Sequence, residues 1–373
     1  MKILALEPYY GGSHKSFLES WITHSRHSWT LLSLPSNKWR WRMRHSALTF
    51  SNQAQELEAN GGAWDLIFCS DMLGLADFIA LGSNHIQSLP SISYFHENQV
   101  TYPVRHEKER DYHFSFSNMT TALASSQTWF NSRFHQEDFL SGLYKFLKRM
   151  PDYQPTDAVT SIREKARVRP PGIEFLDTAR TRKNKIPRIL WAARWEYDKA
   201  PQIFFKALDI LQSENVDFKV SVIGGGNARH VAGVFEEARV SFQDHIIHWG
   251  YRENHTDYLS VLRSSDIVVS TAEHEFFGIS LLEAMAAGAY PLVPHRLSYP
   301  EILTDSEEKP IECFFHDGTP GDLASKLKTL IRRIKTDNLW QYSPVRGEEI
   351  ADRYRWNKLA PQYDEELEKL KRY

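Results

Sequence analysis

The chain has 373 residues, 42% hydrophobic and 25% charged, with a formal net charge of −2 at pH 7. That length exceeds one ordinary core and suits two domains, and the composition is that of a globular protein without a low-complexity tract. The near-neutral total excludes a globally basic nucleic-acid binder but leaves room for a local basic patch, and no apolar run reaches the length of a membrane span. Two cysteines, Cys69 and Cys313, stand alone in apolar contexts. They are too few for a disulfide framework or a cysteine-built zinc site, so the expectation is a reducing cytoplasm.

Residues 1–7, Met-Lys-Ile-Leu-Ala-Leu-Glu, lack a secretory hydrophobic region and read as a first strand over 2–6. Tyr9-Tyr-Gly-Gly-Ser-His-Lys15 follows it. Gly11 and Gly12 permit close backbone approach, while Ser13, His14 and Lys15 add donors at a helix start. A strand over 29–34 precedes Lys38-Trp-Arg-Trp-Arg-Met-Arg-His45. There Lys38, Arg40, Arg42 and Arg44 suit phosphates, and Trp39 and Trp41 can stack on unpaired bases. The competing reading is an amphipathic element with inward tryptophans. Strands over 66–69 and 92–95 follow, the second ending in His96-Glu-Asn98. His96 at a strand end can reach a sugar hydroxyl, and Glu97 and Asn98 can read an acceptor, although a lone histidine is more often structural. A further strand is placed at 122–125. Arg167-Val-Arg-Pro-Pro-Gly-Ile-Glu174 and the polar stretch 177–185 form a stiff connector, which separates a domain 1–170 from a domain 171–350.

In the second half, strands are placed at 188–191, 218–223, 267–270 and 289–293. Near-continuous apolar strands alternating with helices indicate parallel sheets covered on both faces, hence an α/β class with two Rossmann-like domains. Arg194 and Lys199 lie beyond the first of these strands, where an open sheet binds ligands, and can neutralise a diphosphate. Solvated loop cations are the alternative. Gly224-Gly-Gly226 closes the next strand and leaves bare backbone, notably at Gly225. It is not the dinucleotide pattern, which argues against a dehydrogenase. His248-Trp-Gly-Tyr251 reads either as backbone offered to a base or as a plain turn.

Glu275-Phe-Phe-Gly-Ile-Ser-Leu-Leu-Glu283 holds two carboxylates with seven residues between them. It reads as a loop feeding a helix stopped at Gly288. Backbone N–H groups of Gly278, Ile279 and Ser280 at that helix start favour an anion, with Glu275 beside the phosphates and Glu283 within reach of a ribose. Surface glutamates are the bland alternative. Residues 351–373 form a terminal segment whose amphipathic helix is expected to return to the first domain. No Asp-x-Asp, His-Glu-x-x-His or calcium loop is present. The expectation is therefore no metal and no cofactor, with Arg194, Lys199 and the helix start stabilising the leaving diphosphate.

The second half resembles retaining glycosyltransferases of the GT-B fold. The motifs that carry the likeness are Pro170-Pro-Gly-Ile-Glu174, Arg194 with Lys199, Gly224–Gly226, and Glu275 to Glu283 around Phe277-Gly278. The resemblance implies two Rossmann-like domains facing across a cleft. It also implies that Arg194 and Lys199 hold the donor diphosphate, Glu275 contacts the donor sugar, Glu283 the ribose, and His96 the sugar. The first half is similar to the tRNA-queuosine α-mannosyltransferase family. That similarity rests on Glu7-Pro-Tyr-Tyr-Gly-Gly-Ser-His-Lys15, Lys38-Trp-Arg-Trp-Arg42, Ser46-Ala-Leu48, Tyr94-Phe-His-Glu-Asn-Gln99, Tyr102-Pro-Val104 and residues 146–151. It implies mannose transfer from GDP-mannose to queuosine at the wobble position of tRNA for aspartate. The implied partners are a nucleotide sugar and queuosine-containing tRNA, with no membrane. The residues alone do not separate GDP from UDP or mannose from another hexose. They also leave open an envelope-glycan transferase of the same fold and a non-catalytic nucleotide-sugar or RNA-binding protein.

Overall fold

The computed structural model describes residues 1–104, 110–174, 184–226 and 231–371. Most of the 177–185 connector and Asn227 lie outside them. The chain divides into two compact units, Met1–Gly172 with Trp356–Tyr373, and Ile173–Arg355.

The first unit begins β1 (Lys2–Tyr10), α1 (Gly12–His24), β2 (Ser28–Pro35), α2 (Trp39–Ala59), β3 (Leu66–Ser70), α3 (Leu75–Leu81) and α4 (Asn84–Ser88). It continues β4 (Ser91–Phe95), α5 (Tyr112–Ala124), β5 (Gln127–Phe130), α6 (Arg133–Lys148), α7 (Asp157–Lys165) and β6 (Ala166–Val168). The second unit begins β7 (Arg188–Ala192), α8 (Pro201–Ser213), β8 (Lys219–Ile223), α9 (Ala232–Ser241), β9 (Ile246–Gly250), α10 (His255–Ser264) and β10 (Ile267–Val269). It closes with α11 (Ile279–Ala286), β11 (Tyr290–Pro294), α12 (Tyr299–Ile302), β12 (Phe315–His316), α13 (Pro320–Lys335) and α14 (Gly347–Ala351). The terminal helix, α15 (Trp356–Lys371), packs in the first unit.

The sheets are six-stranded, ordered β2-β1-β3-β4-β5-β6 and β12-β11-β10-β7-β8-β9, and the pairings are parallel. Strand order reverses beside β1 in the first sheet and beside β7 in the second. Crossovers leave a crevice at the carboxyl ends of the strands there, so the loops after β1, β3, β7 and β10 are where a ligand fits. Continuous apolar runs make this possible: Ile3 to Leu6 and Ile189 to Trp191 are almost fully buried, covered by helices on both faces.

The strand placed at 122–125 is a correction. Those residues fall at the end of α5 and in its cap, and the strand is Gln127–Phe130, paired with β4. A short apolar run has no periodicity that distinguishes strand from buried helix, and Ala122 is buried on the helix face. Strands β6, β9 and β12 had no separate signal. β9 takes up His248 and Trp249, so that segment is a strand rather than a turn.

α15 is fixed by both packing and polar pairing. Trp356, Leu359, Tyr363 and Leu367 join the core of Phe17, Trp21, Phe68 and Trp129. Asp364, buried, accepts from Trp21 Nε1 at 3.1 Å, Ser25 Oγ at 2.9 Å and Arg26 N at 2.8 Å. No helix among the described residues is long and apolar enough to cross a membrane. Asp364→Ala orphans the buried Trp21 donor, which costs about 1–3 kcal/mol. The expected result is a lower urea midpoint with the activity of the remaining folded fraction retained; an unchanged midpoint contradicts this anchoring role.

Candidate active site

In the second unit the chain leaves β7 at Ala192 and passes Arg194 to a short turn at Tyr197–Lys199. Lys199 is buried, and its ammonium donates to His274 O at 2.6 Å and Glu275 Oε2 at 3.3 Å and lies 3.2 Å from Asp198 Oδ2. The backbone carbonyl of Lys199 accepts from Thr271 Oγ1 at 2.8 Å, and that of Asp198 accepts from Glu273 N at 2.8 Å, so the loops after β7 and β10 are laced together. Arg194 is half exposed, with Nη1 3.5 Å from Glu196 Oε1.

Gly278 precedes α11 in the left-handed region, φ 105°, and a Cβ there would meet the Tyr299 ring at 3.2 Å. Glycine is therefore required at this turn. Gly278, Ile279 and Ser280 lie where an α-helix leaves N–H groups without intrahelical acceptors. Ser280 Oγ donates to Ala192 O at 2.9 Å, which ties the helix start to the end of β7. Lys199, Thr271, Glu275, Gly278, Ser280 and Tyr299 line one recess. Burial alone would raise the Glu275 carboxyl, but Lys199, Arg194 and His274 outweigh it and hold the group below its ordinary value. Glu283, one helix turn further in, accepts from Tyr258 OH at 2.5 Å, and burial pushes its carboxyl up to about 7. Gly224 sits at φ 139°, with a Cβ position 1.9 Å from Ala193 O, and Gly225 O accepts from Trp195 N at 3.2 Å. A Cβ at Gly225 would meet the Tyr251 ring at 3.1 Å, so close packing favours glycine at the end of β8.

In the first unit the corresponding edge carries buried charge. Glu7 on β1 accepts from Tyr9 N at 2.8 Å and Ser70 Oγ at 3.0 Å through one oxygen, and its other oxygen is 3.2 Å from His14 Nδ1. Burial works against a cationic His14, but Glu7 prevails and lifts it to about 9. The His96 ring lies 4.0 Å from His14, tilted by 33°. Burial, reinforced by the His14 charge, keeps His96 neutral, well below its ordinary value. Asp71, at the end of β3, accepts from His96 N at 3.0 Å and is pushed up to about 8 by burial. Glu7, His14 and His96 bring ligating atoms within 4.8 Å of one another, a grouping able to hold a metal ion that no local motif announced. A metal there has to displace the proton that Glu7 holds on His14.

Residues 2–173 match the family described as tRNA-queuosine alpha-mannosyltransferase N-terminal, and residues 173–342 match glycosyl transferases group 1. A tRNA-queuosine alpha-mannosyltransferase of Drosophila melanogaster is 36% identical over 312 residues, covering 80% of this chain and 81% of its own. The chain belongs to the tRNA-queuosine α-mannosyltransferase family. It is a glycosyltransferase. Sucrose-phosphate synthase from Thermosynechococcus elongatus superposes with a TM-score of 0.67 at 16% identity, covering 99% of each chain. Anabaena Alr3699/HepE in complex with UDP-glucose gives 0.68 at 16% identity, covering 99% of this chain and 100% of that one. The fold is GT-B.

Within this family member, the second unit gathers Lys199, Glu275, Gly278, Ile279 and Ser280 around one recess, with Arg194 at the end of β7 and Glu283 against Tyr258. The first unit gathers His14 and His96, with Gly12 in the left-handed region at φ 52° beside them. Ser13 and Lys15 are exposed on α1, and Lys15 is 3.7 Å from Glu19. Glu97 is half buried and accepts from Gln99 Nε2 at 3.3 Å. Two residues assigned to the acceptor make structural hydrogen bonds within the first unit. Asn98 is buried and its carbonyl oxygen accepts from Val100 N, Thr101 N and Thr101 Oγ1, so it builds the loop. Arg42 donates to Pro35 O at 3.1 Å and Asn37 Oδ1 at 2.9 Å, clamping the start of α2. Lys38, Arg40 and Arg44 are exposed, and Trp41 is 56% exposed, whereas Trp39 packs 5.1 Å from the Phe114 ring. Sequence reasoning missed Glu7, Asp71, Asp198 and Tyr258. Asp71 and Tyr258 reach these groups only through sheet order and helix packing, whereas Glu7 and Asp198 lie close in sequence to His14 and Lys199.

Arg194→Ala and Lys199→Ala are expected to lower glycosyl transfer by about 10²–10³-fold, the usual cost of losing one donor to developing charge. Lys199→Ala also strands buried carboxylates, so the half-exposed Arg194 gives the cleaner measurement; near-wild-type rates in both refute the assignment. For Glu283, a carboxyl ordinarily at 4.5 is raised to about 7 in the fold. The folded state keeps this proton longer than the unfolded chain, so the contribution to stability falls as pH rises from about 4.5 to about 7. Glu283→Gln should flatten that decline in urea titrations across this window, and superimposable pH profiles contradict it.

Proposed function

We propose that the protein transfers mannose from GDP-mannose to queuosine at the wobble position of tRNA for aspartate, in the cytoplasm, with retention of configuration and without a metal ion. The observation that carries the chemistry is the pairing of buried Lys199 with the partly exposed Glu275, 3.3 Å apart, in the loops beside the start of α11. Family membership supports the acceptor and the sugar.

In this reading Arg194, Lys199 and the amides of Gly278, Ile279 and Ser280 receive the donor diphosphate, an electrostatic cradle set before reaction. Lys199 is already held by His274 O, Asp198 and Glu275, and the Glu275 contact is the longest. A phosphate oxygen therefore takes the place of Glu275, which frees that carboxylate to orient the sugar. Glu283, braced by Tyr258, receives the ribose, and Gly225 and Gly12 leave room for the donor. Neutral His96 hydrogen-bonds a sugar hydroxyl. The C1–oxygen bond to the diphosphate breaks as the acceptor hydroxyl attacks C1 from the same face, and the hydroxyl proton passes to the departing phosphate oxygen. Ser13, His14, Lys15 and Glu97 belong to the acceptor side, with Lys38, Arg40, Arg44 and Trp41 on RNA.

The test incubates the protein with queuosine-containing tRNA and either GDP-mannose or UDP-glucose, with and without excess chelator. Nucleosides are then analysed by mass spectrometry. A hexose adduct on queuosine from GDP-mannose, undiminished by chelator, is expected. No adduct from GDP-mannose overturns the donor assignment, and loss on chelation with recovery on adding a divalent ion overturns metal independence.

A further inference from the structure

Asp71 is the first residue after β3, at the carboxyl end of a strand beside β1, where the sheet order reverses and a ligand fits. It is 0% exposed. Its backbone is held on both sides: Asp71 N donates to Tyr94 O at 2.9 Å, and Asn118 Nδ2 donates to Asp71 O at 2.9 Å. One carboxyl oxygen, Oδ1, accepts from His96 N at 3.0 Å. The other, Oδ2, is buried and meets no hydrogen-bond partner among the described residues, and the same is true of His96 Nε2. A buried polar atom left unpaired is costly. Two of them, on the ends of the paired strands β3 and β4, mark a place where another molecule supplies the bonds.

The surroundings decide which group that is. The His14 ring lies 4.0 Å from that of His96, and among the charges acting on Asp71 its imidazolium is the strongest, followed by Glu97. A cationic group brought to Oδ2 therefore meets His14, and a phosphate meets Glu97 and Glu7. A metal ion needs one of the two rings to turn. Their planes are tilted by only 33°, so the lone pairs run nearly side by side instead of converging at bonding distance, and His14 Nδ1 is already engaged by Glu7. Neutral hydroxyls remain. A carboxyl oxygen accepts from a hydroxyl, and an imidazole nitrogen pairs with one as donor or acceptor. The approach is open at Gly12, where a Cβ would meet nothing within 4 Å, and beside the half-buried His96 and Glu97.

We propose that Asp71 Oδ2 and His96 Nε2 together bind two neighbouring hydroxyls of a substrate polyol, which makes Asp71 a substrate-binding residue and not only the brace of the His96 backbone. The assignment rests on the proposed mannose transfer, in which His96 takes one sugar hydroxyl, and adds the second arm and the class of group it reads. Both substrates of that reaction carry adjacent hydroxyls, the donor on its hexose and queuosine on its cyclopentenediol. The measurement separates the two sources.

Asp71→Asn keeps the side-chain shape and an acceptor for His96 N while replacing Oδ2 by an amide nitrogen. Its affinities for GDP and GDP-mannose and its KM for queuosine-containing tRNA are compared with those of the wild type. Where the polyol is the donor hexose, GDP-mannose binding weakens roughly 10- to 150-fold, and GDP, which lacks the sugar, binds as before. Where it is the acceptor diol, both nucleotides bind as before and the KM for tRNA rises by a similar factor. His96→Gln leaves the bond from the backbone N at position 96 to Asp71 in place; it is expected to act on the same substrate, and gives the result should Asp71→Asn not fold. Unchanged values for all three substrates in folded protein overturn the site. An equal loss of GDP and GDP-mannose affinity also overturns it, because a brace alone has then been removed. One equivalent of zinc retained on dialysis by the wild type and lost in His14→Ala identifies a metal centre and overturns it as well. Wild-type protein that binds GDP-mannose more tightly than GDP, loses that difference in Asp71→Asn and yet transfers no mannose refutes the reaction and leaves the site standing.

Discussion

The ammonium of Lys199 is the point on which the second unit's ligand edge depends. It is buried, and it meets a carbonyl and two carboxylates that come from the loops after β7 and β10. A buried amine without partners loses its proton, and buried carboxylates without a cation gain one. Here each supplies what the other needs, so the loops on either side of the strand-order reversal are held at fixed spacing. That spacing leaves the start of α11 facing the recess, where Gly278 allows the turn and Ser280 binds it to Ala192 O. The geometry for an anion is set before any ligand arrives, which is the arrangement electrostatic stabilisation requires.

The first unit uses the same device with different residues. Glu7, fully buried on β1, is neutralised by His14 from the following helix, and the resulting imidazolium lies against His96. Burial already favours a neutral His96, and two adjacent imidazoles resist both carrying charge at low dielectric, so the proton on His14 reinforces that state. A neutral imidazole offers one donor and one acceptor, which matches a sugar hydroxyl. His96 is thus kept neutral first by its own burial and then by the charge that Glu7 holds on His14. Asp71 fixes its backbone from the next strand.

Much of this was legible in the sequence because the signal is local. Glycines before a helix, a cation pair after a strand and a Glu-to-Glu spacing across a helix start all lie within a few residues of one another. The connection of Glu7 to His14 is also local, seven residues along the chain, but a glutamate inside an apolar strand gives no hint of its partner until the helix folds back. Asp71 and Tyr258 were not legible for a stronger reason: each reaches the site through sheet order or helix packing between distant segments. Asparagine at a strand end serves loop building as readily as ligand binding, and the carbonyl of Asn98 accepts three bonds from Val100 and Thr101. The strand placed at 122–125 failed where composition and period give the same pattern for two structures.

The Trp-Arg alternation at the start of α2 shows why periodicity has to be settled before side chains are given roles. Read as alternating residues, Trp39 and Trp41 look equivalent, and so do Arg40, Arg42 and Arg44. On a helix successive positions turn by about 100°, which sends Trp39 and Trp41 to nearly opposite sides. Trp39 falls in line with Met43, Ala47 and Phe50, which are buried, and it packs on Phe114. Trp41 falls with Arg44 and Leu48 on the exposed face. Arg42 points back to the loop that starts the helix and is consumed there. The segment therefore leaves one ring, Trp41, and three cations, Lys38, Arg40 and Arg44, exposed rather than the whole run.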